Sequence, residues 1–92
     1  MPTAEQRKQD KDMEQHQREL LNALIGEQVI QTLGEPGGLY KVQVHPLWKA
    51  HYRVNVFIGE NAASARIASS YFVEADSAGN IVASRPTIRK QY

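Results

Sequence analysis

The chain has no cysteine, which excludes disulfides, thiol nucleophiles and thiolate metal sites and leaves the redox compartment open. Long apolar runs are missing too, since nothing approaches the roughly 20 residues that a membrane helix needs. Residues Met1 to Glu19 hold no apolar stretch of the kind that drives secretion. These absences predict no membrane association and a cytoplasmic location. Catalytic signatures are also lacking. Gly34, Gly37 and Gly38 straddle Pro36 without the lysine and hydroxyl of a phosphate loop. There is no His-Glu-x-x-His helix and no Gly-x-Ser-x-Gly elbow. The acids are scattered, and no histidine follows Ser64, Ser69 or Ser70. The chain is therefore expected not to be an enzyme.

What is present is ordinary for one folded domain. A length of 92 residues suits a single core, and 41% hydrophobic with 23% charged residues fits neither the disordered nor the membrane class. The net charge of +1 hides a division. Residues 1–38 carry seven acids against four bases, a balance of −3, and residues 39–92 carry seven bases against three acids, a balance of +4. Attraction between the two halves is the plain consequence, and a face for polyanions is the other.

Two periodicities organise the chain. Residues 1–12 are nearly all polar and are expected to form a disordered tail, ahead of a single α+β domain over residues 13–92. Met13, Leu20, Leu21, Leu24, Ile25, Val29 and Leu33 then recur at three- and four-residue spacing, the stripe of an amphipathic helix. Gly34 and Pro36 supply its stop. Gly26 can break it, and Glu27 to Leu33 has a rival reading as a strand.

From Leu39 the period becomes two. Strands are predicted at Leu39–His45, His51–Ile58, Ala65–Ala75 and Ile81–Arg85, with Asp76 to Asn80 as a hairpin loop. Pro86 makes the last strand an edge. The fold class expected is α+β, one N-terminal helix packed on a three- to four-stranded antiparallel meander. Its core would join Leu20, Leu21, Leu24, Ile25, Val29 and Leu33 to Val42, Val44, Tyr52, Val54, Val56, Ile58, Ile67, Tyr71 and Val73. Such a core needs no cofactor to fold, and none is expected.

The face turned away from the helix holds the candidate sites. A hairpin centred on Trp48 would set Val44 against Tyr52 and His45 against His51, while Val54 against Tyr71 brings Glu74 beside His51. His45, His51 and Glu74 would then form a row able to hold zinc or iron, although strands about 4.8 Å apart leave its ends far from each other. A plain row of polar side chains is the competing reading. Phe57 and Phe72 fall on the same face near Arg53, and Trp48 stands at the hairpin tip among His45, Lys49 and His51. Trp48, Arg53, Phe57 and Phe72 are the candidates for contact with a protein partner or a second copy, and the edge strands, the first and the fourth, offer a second route to pairing between copies. Trp48 could instead fold back and cap the core. Lys41, Arg53, Phe57, Phe72, Trp48 and Arg89 would serve the alternative, weak binding of single-stranded nucleic acid. The basic segment Arg85 to Tyr92 is expected to be loosely held.

Val29-x-x-x-Leu33-Gly34-x-Pro36, followed by a meander that ends in Asp76, Gly79, Asn80, Ile81 and Val82, resembles the small bacterial outer-membrane assembly lipoproteins of the SmpA type. The resemblance covers only those short stretches. The lipoprotein cysteine is missing, and no function is carried over.

Overall fold

The computed structural model describes the backbone from Ala4 and the side chains from Gln15 to Tyr92. One helix, α1 (Ala4–Leu33), precedes four strands, β1 (Leu39–Pro46), β2 (His51–Ile58), β3 (Arg66–Ala75) and β4 (Ile81–Arg85). The strands form one antiparallel sheet in the order β1-β2-β3-β4, a meander. This is the α+β class that the periodicities predict. The polar tail expected over residues 1–12 falls on positions outside the described residues, wholly for residues 1–3 and in its side chains for the rest. Among the described residues no helix is long and apolar enough to cross a membrane.

Glu27 to Leu33 is helix, and Gly26 does not interrupt it. A Cβ at Gly26 would sit 3.3 Å from Val44 Cγ2 and 3.4 Å from Val42 Cγ1. The glycine is what lets α1 lie close against β1, and tertiary contact outweighs its poor helix propensity. Ile25, Val29 and Leu33 point down and are fully buried against Tyr52, Val54, Val56, Tyr71, Val73 and Ala75. Gln28 ties the opposite flank of the helix to the β3–β4 hairpin. Its Nε2 donates to the Gly79 carbonyl, and its Oε1 accepts from the Ile81 amide at 3.0 Å.

Four members of the expected core lie outside it, Ile58 among them, half-buried at the end of β2. Leu20 and Leu24 are 53% and 45% exposed. A helix of 30 residues is about 45 Å long, whereas strands of this length reach about 26 Å. The apolar stripe therefore runs past the sheet at Leu20, while Leu24, next to the fully buried Ile25, lies on the flank of α1 beside Gly79 of the β3–β4 loop. Ile67 is also exposed, because the register slips between Val56↔Ser69 and Phe57↔Ile67. Ala68 is the extra residue of that bulge, and it turns Ile67 to the other face beside Phe57. Equivalent slips leave Tyr40 and Val82 unpaired, and both are exposed.

The C-terminal segment is held, not loose. Ile88 packs against the core and its amide donates to Ser84 Oγ at 3.2 Å. The amides of Gln91 and Tyr92 donate to the Leu33 carbonyl at 2.8 and 3.1 Å. They satisfy an acceptor that the end of α1 would otherwise leave open. Gly34, at φ +89°, follows in the left-handed conformation, and a Cβ there would run into the Tyr92 carbonyl.

Candidate partner-binding face

The β1–β2 turn sets the register of the face opposite the helix. The Leu47 amide donates to the His51 carbonyl at 2.9 Å, and the His51 amide to the Trp48 carbonyl at 2.9 Å. The loop is thus Trp48-Lys49-Ala50, and its middle residue, Lys49, takes φ +50°. Centring on Lys49 instead of Trp48 pairs Val44 with Val54, Val42 with Val56 and His45 with Arg53. The expected pairing of Val44 with Tyr52 and of His45 with His51 is therefore wrong by two residues. A slip of two leaves every side chain on its face, so the apolar pattern is equally satisfied by both registers.

The metal row does not assemble. His51 is paired with Glu74 as expected, with Val54 on Tyr71. His45, however, faces Arg53, so the third ligand is replaced by a cation. Among the described residues no group of three histidines and carboxylates could hold a metal ion.

The same register brings other side chains into line. One row runs His45, Arg53, Phe72, Arg85 across all four strands, and the next runs Gln43, Asn55, Ser70. Arg53 lies over the Phe72 ring, its Cζ 5.2 Å from the centroid. Its Nε donates to Ser70 Oγ at 3.3 Å, and Ser70 Oγ donates to Asn55 Oδ1 at 2.7 Å. Asn55 is buried on this face. A ring and a hydroxyl, itself held by a buried amide, therefore fix Arg53. One strand pairing away, Lys41 Nζ sits 5.0 Å from the centroid of Phe57.

Trp48 does not fold back over the core. It is 61% exposed and stacks on the His51 ring, with centroids 5.3 Å apart and planes 27° apart. Beside this stack lies a groove of about 450 Å³, lined by Leu47, Trp48, His51, Phe72, Glu74 and Arg85 among others. Phe72 and Leu47 are exposed there at 49% and 39%. Four of the residues read from sequence, Trp48, Arg53, Phe57 and Phe72, thus share one face with Lys41. Arg89 does not join them: it follows Ile88 onto the helix side, where the chain returns to Leu33. Sequence reasoning grouped Leu47 with Trp48 but missed Arg85, Ser70 and Asn55. The β3–β4 pairing that places Arg85 against Phe72 carries the signal for the first of them.

Among the described residues the strand positions of this face carry Lys41, Arg53 and Arg85 against one carboxylate, Glu74. Compared with known protein families, with curated proteins and with solved structures, the chain matches none.

Proposed function

We propose that the chain is a non-catalytic protein-interaction module whose open sheet face takes an acidic segment of a partner protein with one apolar anchor. The observation that carries this is the groove beside Trp48 and Phe72, with Arg53 and Arg85 in the adjoining row. Exposed aromatics next to fixed arginines are the composition of interface hot spots. Arg53 is already ordered by Phe72 and Ser70, so little conformational freedom remains to be lost when a carboxylate docks on it. The anchor would enter the groove and its flanking acids would meet Arg53, Arg85 and Lys41.

Single-stranded nucleic acid is the weaker alternative. Stacking needs an open ring face, and Lys41 and Arg53 occupy one face each of Phe57 and Phe72. Selection from a random peptide library on the full chain tests the proposal. Enriched peptides should combine acidic residues with an aromatic or aliphatic one. The double substitution Arg53→Glu, Arg85→Glu should weaken them by at least about tenfold, or 1.4 kcal/mol. Peptides without acidic bias, or single-stranded oligonucleotides that bind more tightly than any selected peptide, would overturn it.

A further inference from the structure

The two edges of the sheet are unlike. β4 has five residues, its first amide is taken by Gln28, and the chain beyond it folds back through Ile88 onto Ser84. β1 has eight residues. Leu47 bonds to His51, so by antiparallel alternation the backbone groups of Gln43 and His45 turn toward β2. Those of Val42 and Val44 then turn outward. The side chains of Val42 and Val44 are only half-buried, and with Ala23, Gly26 and Ile30 they line a groove of about 350 Å³ between α1 and the edge.

We infer that β1 is a pairing edge for a second copy of this chain, antiparallel and with the two-fold axis at Gln43. Both ends of β1 are blocked, Pro46 lacking an amide and the bulge at Tyr40 breaking the ladder. The usable window is therefore Lys41 to His45. One register within it sets Val42 against Val44 of the second copy, and Val44 against its Val42. Both outward amides and both outward carbonyls are then satisfied, and the half-buried valines cover each other. Charge favours the edge over the face. Stacking two open faces would set Lys41, Arg53 and Arg85 against the same cations, whereas edge pairing lays the two basic faces side by side in one continuous sheet. The inference stands apart from the partner proposed for the open face.

The chain has no cysteine, so single cysteines read the register directly. Gln43 would face its own copy in a non-hydrogen-bonded pair, with Cα atoms about 4.5 Å apart, inside the range of a disulfide. Sedimentation of the full chain up to about 300 µM should show a monomer–dimer equilibrium. Gln43→Cys should cross-link rapidly under mild oxidation. Lys41→Cys and His45→Cys should stay unlinked alone and cross-link when mixed, since those positions face each other across the axis. A chain that stays monomeric over that range overturns the inference. So does a dimer in which Gln43→Cys links no faster than His45→Cys, because another surface then holds the copies together.

Discussion

Gly26 decides how closely the helix approaches the sheet. Alanine there would gain about 1 kcal/mol of helix propensity and lose a similar amount by crowding Val44 and Val42 at 3.3 and 3.4 Å. Gly26→Ala is expected to leave stability within about 0.5 kcal/mol of the parent, whereas Gly26→Leu should push α1 off β1 and cost about 1–3 kcal/mol in urea unfolding. Asp76 works on the opposite flank of the helix, in the β3–β4 hairpin. Its Oδ1 accepts from the amides of Asn80 at 2.9 Å and Ala78 at 3.0 Å. The Asn80 amide is the main cause that holds this carboxyl below its usual 3.8, with the Asn80 side chain and the Ala78 amide helping. A carboxyl depressed in the folded state stabilises above its unfolded pKa, and loses that contribution as pH falls through the folded value. Asp76→Ala should therefore lower the melting temperature at neutral pH. The gap to the parent should shrink as pH is taken below 3.8. A gap that stays constant down to low pH would show that the charge is not involved.

At the scale of elements, the sequence was most legible where two signals agreed. β2 and β4 begin and end where alternation and turn residues place them. The Asp76–Asn80 loop has its glycine at φ +86°. The turn escaped because period-two alternation reports the face of a residue and not its partner. It could not tell a turn centred on Trp48 from one centred on Lys49, and so His45 was placed opposite His51 instead of Arg53. It also could not foresee a bulge, which moved Ile67 to the open face. The helix stripe had the converse fault, since it marks an apolar side without marking where the sheet ends. Ile25→Ala is accordingly expected to cost about 2–5 kcal/mol, and Leu20→Ala no more than about 0.5. Gln28→Ala should cost about 1–3 kcal/mol, because the partly buried Ile81 amide loses its acceptor. Chemical denaturation of the three variants checks the ranking. Equal losses at Leu20 and Ile25 would mean that the outer stretch of α1 is covered in solution.

For the whole molecule, the described charges are placed unevenly about the sheet. Among the described side chains the helix carries Glu19 and Glu27 against Arg18 on one side, and Lys41, Arg53 and Arg85 face away from it on the other. The partner proposed above would meet a basic, aromatic surface with the helix behind it. The single tryptophan stands in that surface, beside the groove. Titration of Trp48 fluorescence with a glutamate-rich peptide bearing one leucine, against a lysine-rich peptide of the same length, reads the surface directly. The expected result is a saturable blue shift with the acidic peptide alone, weaker at higher salt and lost in Arg53→Glu, Arg85→Glu. Unchanged emission with the acidic peptide, or an equal response to the basic one, would contradict the assignment of this face to partner binding.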